Sequence, residues 1–226
     1  MNKENYDRVL SEALGILRSG GTILYPTDTV WGLGCDATNP STVARIFDIK
    51  RRSDSKSLVL LASDLDMVAR YVMKIPDIAI DLVEVNDRPM TIIYPGAIVG
   101  QRPESGFAQA EHFGEALDSA RRGNPAPAGD KWHLAYNAVA ADGSVGIRIP
   151  MNDFCRDLIR RLGRPLVSTS ANISGNPTPK SFKEIDREIV DAVDYVVAPS
   201  LGAGATGTAS QIIKLEVDGQ VEIIRT

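Results

Sequence analysis

The chain has 226 residues, two cysteines and a formal net charge of -4, with 43% hydrophobic and 24% charged residues. That balance suits one large or two small globular domains, and it excludes a disulfide scaffold and a globally basic nucleic-acid binder. The polar start and the lack of any apolar run of membrane-spanning length lead to the expectation of a cytoplasmic protein with no membrane partner.

In chain order, Tyr6, Val9, Leu10, Ala13, Leu14 and Leu17 fall at helical spacing, and Gly20-Gly21 closes the pattern. Thr22 to Tyr25 reads as a strand stopped by Pro26. Asn39 and Pro40 suit a helix cap and first turn, with Val43, Ile46 and Phe47 as the buried stripe. Leu58 to Leu61 reads as a short strand, and Ser63 as the cap of a helix reaching Val72. Met90 to Tyr94 and Ser144 to Ile149 are further strands. Asn152 to Leu162 reads as a helix ended by Gly163, Pro165 to Thr169 as a strand, Phe182 to Val190 as a helix and Asp194 to Val197 as a strand. Asp218-Gly219 between Gln211–Leu215 and Val221–Ile224 is a hairpin signal. Strands and helices mix throughout, which predicts an α/β fold with some antiparallel pairing. From Ala97 to His133 the rhythm breaks into prolines, glycines, alanines and charges, with a weak helical pattern from Phe107 to Arg122. This stretch fits a surface insertion, or a lid over a site.

Four stretches could carry chemistry. Pro26-Thr27-Asp28-Thr29-Val30-Trp31-Gly32-Leu33-Gly34 follows a strand, where open α/β sheets bind ligands; it also fits a tight turn packed under Trp31. Lys50, Arg51 and Arg52 fit either helix-dipole compensation or an anion site. Arg148 lies inside an apolar strand pattern and needs a partner if buried. It reads as an exposed-face arginine or as a clamp for the carboxylate of a small acid. Ser168 to Gly175 places four hydroxyls and an asparagine after an apolar strand, as a local turn or a phosphate cradle. No phosphate-binding glycine-lysine loop, zinc-type His-Glu pair or Ser-His-Asp arrangement is present, and no protein nucleophile stands out. Chemistry would depend on positioning, charge neutralisation and a divalent ion.

Taken together and in this order, these stretches, with Gly143-Ser144-Val145-Gly146-Ile147-Arg148-Ile149-Pro150, resemble the YrdC-like family, the threonylcarbamoyl-AMP synthases. The resemblance implies a twisted mixed sheet with helices on its faces, enclosing a basic cavity. One domain would span 1–226, with an atypical insertion at about 97–133. It implies a reaction in which L-threonine, bicarbonate and ATP give L-threonylcarbamoyl-AMP and pyrophosphate. The product serves the threonylcarbamoyl modification of tRNA adenosine-37. By position, Thr27, Val59, Arg148, Ser170 and Ser210 would bind L-threonine. Lys50, Arg52, Ser144, Asn172, Lys180 and Arg225 would bind ATP, and Mg²⁺ would be held mainly by the ATP phosphates.

This chain departs from the family in places. Ser53 stands where proline is common, Asp28 where glutamate is common, and Ser55-Lys56-Ser57-Leu58 where Asn-Pro-Leu is usual. Two other readings compete. One is a non-catalytic module contacting tRNA or double-stranded RNA, which the net acidity weakens. The other is a domain of a hydrogenase-maturation protein, set aside because such chains carry zinc-binding cysteine motifs.

Overall fold

The first helix, α1 (Lys3–Arg18), starts where the Asn2 side chain accepts a hydrogen bond from the Asn5 amide at 2.9 Å. Its buried stripe is Val9, Leu10, Ala13, Leu14 and Leu17, as the spacing predicts. The computed structural model describes residues 2–52, 58–101, 132–202, 204–216 and 218–226. The helical pattern from Phe107 to Arg122 and the departures at Ser53 and 55–57 lie outside the described residues.

After β1 (Ile23–Tyr25), the stretch that reads as a ligand-binding segment or a tight turn forms a second strand, β2 (Gly32–Gly34). Glycine is a poor strand former because it has no side chain to pack. Here the strand forms because the buried Tyr25 ring lies across its glycines. A Cβ built on Gly34 would come within 2.5 Å of the Val167 carbonyl and 2.7 Å of that ring.

α2 (Pro40–Lys50) has the expected cap: the Asn39 side chain accepts from the amides of Ser41 and Thr42, and Pro40 opens the first turn. At its other end Arg51 adopts left-handed backbone, with φ 49°. β3 (Val59–Leu61) leads to α3 (Leu65–Ala69), where the expected cap is corrected. Asp64 caps, accepting from the Met67 amide at 2.8 Å, while Ser63 donates its hydroxyl to Asp64. The helix ends at Ala69 rather than Val72. α4 (Asp77–Val85) then forms where no helix was expected, and β4 (Met90–Tyr94) follows.

β5 (Val145–Arg148), α5 (Asp153–Leu162) and β6 (Leu166–Ser170) fall as read, with Asn152 capping and Gly163 terminating α5 in left-handed backbone. The single helix expected from Phe182 to Val190 is instead a 3-10 turn, Phe182–Glu184, and α6 (Arg187–Ala192). Extended backbone at Ile185 interrupts the two. β7 (Tyr195–Val196), β8 (Gln211–Leu215) and β9 (Val221–Arg225) complete the chain, the last two as the expected hairpin.

Among the described residues the strands form one nine-stranded sheet, ordered β7-β1-β2-β6-β3-β5-β4-β8-β9. The β1–β7, β3–β5 and β4–β8 pairs are parallel and the remaining pairs antiparallel, so the sheet is mixed. Pairing register decides the two faces. Leu60 lies beside Ile147 and Val167, and Ile92 beside Ile147 and Ile213. These residues join the buried stripes of the helices in one hydrophobic core. The alternate residues, Val59, Gly146, Arg148, Thr91, Ile93, Ser168 and Ser170, belong to the other face.

The ends of the irregular segment are built into this fold. The Ile98 amide donates to the Tyr71 carbonyl at 2.8 Å, and the Gly100 amide to the Leu134 carbonyl at 2.9 Å. Trp132 meets the Tyr71 ring edge-on at 6.1 Å, and the Arg70 guanidinium lies 5.3 Å from the Trp132 ring centre. No helix among the described residues is long and apolar enough to cross a membrane.

Candidate active site

The small and polar face of the sheet opens into a cavity of about 330 Å³. Its floor comes from the middle strands: Gly32, Val59, Thr91, Ile93, Gly146, Arg148 and Ser168 to Ser170. Ser210, just before β8, and Arg225 on β9 close one side, and Arg52 and Leu58 another. Among the described residues that line it, three are arginines (Arg52, Arg148 and Arg225) and none is a carboxylate.

The structure brings together all five residues expected to hold L-threonine. Thr27, Val59, Arg148, Ser170 and Ser210 each line the cavity. Arg148 is 4% exposed, so the exposed-face alternative is ruled out. Burying a guanidinium requires partners. Its Nη1 donates to the Thr29 hydroxyl at 2.9 Å, and its Nη2 lies 3.4 Å from Asp28 Oδ1. Asp28 is itself buried, and its other oxygen accepts from the Met151 amide at 3.2 Å.

The hydroxyls behind Arg148 form a directed chain. Thr27 Oγ1 lies 2.7 Å from the Val30 carbonyl, which has no proton to give, so Thr27 donates there. Its 2.9 Å contact with Thr29 Oγ1 must then be a bond that Thr29 donates. Thr27 Oγ1 also accepts from the Thr29 amide at 3.1 Å. One donated and two accepted bonds use the full capacity of the Thr27 hydroxyl.

The three cations after α2 separate. Arg51, in its left-handed cap, reaches outward and pairs with Glu188. Arg52 lines the cavity, and burial holds its guanidinium below the ordinary arginine range. Lys50 is 2% exposed and is absent from the cavity wall. Its ammonium donates to the Ser170 carbonyl and, at 2.7 Å, to the Asn172 carbonyl. Burial first, and the Arg52 charge second, bring its pKa down to about 8.

The other residues expected to bind ATP divide in the same way. Arg225 lines the cavity and donates twice to the Ser210 carbonyl, at 2.9 and 2.7 Å; burial and then the neighbouring Arg148 charge lower its pKa. Ser144, Asn172 and Lys180 are absent from the described wall. The Ser144 hydroxyl donates to Asp142 at 2.6 Å, and the Asn172 amide group donates to the Asn176 carbonyl at 2.7 Å. The Lys180 side chain is exposed.

Sequence reasoning missed Thr91, and it placed Thr29 and Ser168 in candidate stretches without singling them out as lining residues. The Thr91 hydroxyl lies 2.8 Å from that of Ser210, fully buried. The available signal was alternation: a threonine in an otherwise apolar strand, on the same parity as Ile93, marks a face that is not plain core.

The Sua5/YciO/YrdC family model, described as telomere recombination, matches residues 15–109 and 126–226. A threonylcarbamoyl-AMP synthase of Pseudoalteromonas translucida is 31% identical over 216 residues, covering 94% of this chain and 95% of that protein. One from Stenotrophomonas maltophilia is 29% identical over 201 residues, covering 88% and 90%. P. abyssi Sua5, solved with L-threonine, superposes with a TM-score of 0.70 at 23% identity, covering 91% of this chain and 50% of that one. This chain thus spans about half the length of P. abyssi Sua5. E. coli YciO gives a TM-score of 0.66 at 23% identity, covering 96% and 88%. With its family-model match on both sides of the irregular segment and its fold shared with Sua5 and YciO, the chain belongs to the Sua5/YciO/YrdC family.

Proposed function

We propose that this chain is an L-threonylcarbamoyladenylate synthase, an enzyme that makes threonylcarbamoyl-AMP and pyrophosphate from L-threonine, bicarbonate and ATP. The observation that carries the reading is the convergence of Thr27, Val59, Arg148, Ser170 and Ser210 on one cavity, in a chain whose relatives bear that name. The threonine carboxylate would face the Arg148 guanidinium, a planar fork matched to it. Ser170 and Ser210 would supply hydroxyls to the same ligand, with Thr27 and Val59 as wall. Arg52 and Arg225 would meet the ATP phosphates, and the cavity would be basic. Lys50 would support the phosphate side from behind, through the Ser170 and Asn172 carbonyls that it holds; Ser144, Asn172 and Lys180 line no part of the described cavity.

Two steps account for the product. The threonine amine attacks the carbon of bicarbonate and water leaves, forming the carbamate. A carbamate oxygen then attacks the α-phosphorus, and its bond to the leaving pyrophosphate breaks. Neither step needs a protein nucleophile; fixed cations and orientation supply the stabilisation. Among the described residues no three carboxylate, histidine or cysteine side chains gather to hold a metal. The Mg²⁺ we propose is the one carried on the phosphates of ATP, where it would neutralise their charge. The product would pass to the cytoplasmic machinery that modifies tRNA adenosine-37.

The test is pyrophosphate release from Mg²⁺-ATP and bicarbonate, with and without L-threonine. Threonine-dependent release is expected. Folded protein with no release above the threonine-free control would sink the synthase reading. Steeply salt-dependent binding to bare tRNA would then favour the RNA-binding module.

A further inference from the structure

We propose that Thr29 is a positioning residue that fixes the orientation of the Arg148 guanidinium, with Asp28 as the counter-charge behind it. The role assigned to Arg148 rests on the synthase reading; the anchoring itself does not. The argument begins with how few contacts hold a cation that is 4% exposed. Asp28 Oδ1 is 3.4 Å from Nη2, which neutralises charge but is long for a hydrogen bond, and that oxygen has no hydrogen-bond partner. Nε of Arg148 is buried and also unpartnered. Among the described residues, the bond of normal length is the one from Nη1 to the Thr29 hydroxyl, at 2.9 Å.

An ion pair alone leaves a guanidinium free to swing, because Coulomb attraction depends weakly on angle. A single short hydrogen bond to a hydroxyl held in place removes that freedom. The Thr29 hydroxyl is held in place. Its proton is committed to Thr27, whose own proton is committed to the Val30 carbonyl. The lone pairs of Thr29 are thereby turned toward Arg148. The chain runs from the loop between β1 and β2 to the last residue of β5, so the loop sets which edge of Arg148 meets the cavity.

The experiment compares Thr29→Val, which keeps shape and removes the hydroxyl, with Thr29→Ser, which restores it. The first readout needs no substrate: nitrogen-15 NMR of the arginine guanidinium groups, with the Arg148 signal identified by its loss in Arg148→Lys. Hindered rotation of the Arg148 guanidinium is expected in the unmodified protein and in Thr29→Ser, and free rotation in Thr29→Val. The second readout is kinetic. Thr29→Val should raise the KM for L-threonine about 10- to 100-fold, the cost of one charge-assisted hydrogen bond, with the KM for ATP little changed. Asp28→Asn should act in the same direction more weakly, and it serves if Thr29→Val fails to fold. Unchanged Arg148 signals in Thr29→Val, or an equal rise in both KM values, would overturn the proposal. If the unmodified protein releases no pyrophosphate, the synthase reading fails, and the NMR comparison alone decides the anchoring.

Discussion

Lys50 buries a primary ammonium against two backbone carbonyls, those of Ser170 and Asn172, while the Ser174 amide donates to its own carbonyl at 2.9 Å. The end of α2 is thus stitched to the end of β6 at Ser170 and to the following turn at Asn172. The folded pKa, about 8, lies below the unfolded value near 10.5. Between those values the unfolded chain holds more protons than the folded one, so stability rises with pH across that window. A neutral amine keeps two N–H groups, enough for both carbonyls, so losing the proton need not loosen the turn. The stability of the unmodified protein relative to Lys50→Met should therefore rise on the order of 1–3 kcal/mol between about pH 8 and 10. Urea unfolding of both proteins across that range measures it. A difference that stays flat would mean that Lys50 is not titrating there.

At the scale of the element, β2 shows what holds the loop that carries Thr27 to Thr29. It lies between β1 and β6, with Gly34 against Ile23 and Gly32 against Ser170. Tyr25 fills the space that side chains at Gly32 and Gly34 would take, and its hydroxyl donates to the Val167 carbonyl at 3.3 Å. Gly34→Ala would push a methyl group to 2.5 Å from that same carbonyl, which is backbone and cannot swing aside. The expected cost is about 2–3 kcal/mol, from overpacking and displaced strand pairing. Thermal or urea unfolding reads it. Gly163→Ala is the comparison: its cost comes from left-handed backbone, with open space around it, and it should leave the cavity untouched. If Gly34→Ala unfolds no more easily than the unmodified protein, Tyr25 does not pack as described.

Across the whole molecule, the described ends of the irregular segment are built into the fold. Residues 97–100 and 132–134 share backbone bonds with Tyr71, Gly143 and one another. The family-model match breaks between 109 and 126, within the stretch that sequence rhythm marks as foreign. Removing all of 97–133 would therefore cut packed backbone, whereas replacing 110–125, which the family model leaves unmatched, with a short Gly/Ser linker should leave a cooperative fold. Loop length carries little closure entropy, about 0.6 kcal/mol per doubling. A single sharp unfolding transition within about 1 kcal/mol of the unmodified protein is expected. An insoluble or molten product would show that these residues belong to the core. Loss of turnover with ATP binding intact would mark them as part of the site.

Much of this was legible in the residues themselves. Helix stripes such as Leu10, Ala13, Leu14 and Leu17, the caps at Asn39 and Asn152 and the hairpin at Asp218-Gly219 are local matters. Side-chain period and capping chemistry act within a few residues, so the sequence specifies them directly. The ordered set of motifs likewise identified the family, and with it Thr27, Arg52, Val59, Arg148, Ser170, Ser210 and Arg225, which line the cavity, but also Lys50, Ser144, Asn172 and Lys180, which do not. What the sequence could not decide was set by partners distant along the chain. Gly32 to Gly34 becomes a strand because Tyr25 covers it. The run of three cations splits because a left-handed cap at Arg51 sends Arg52 to the cavity and leaves Lys50 bound to carbonyls more than a hundred residues away. Arg148 is buried rather than exposed because Thr29 and Asp28 meet it across the sheet. In each case the deciding energy is a long-range contact, which no local pattern of residues encodes.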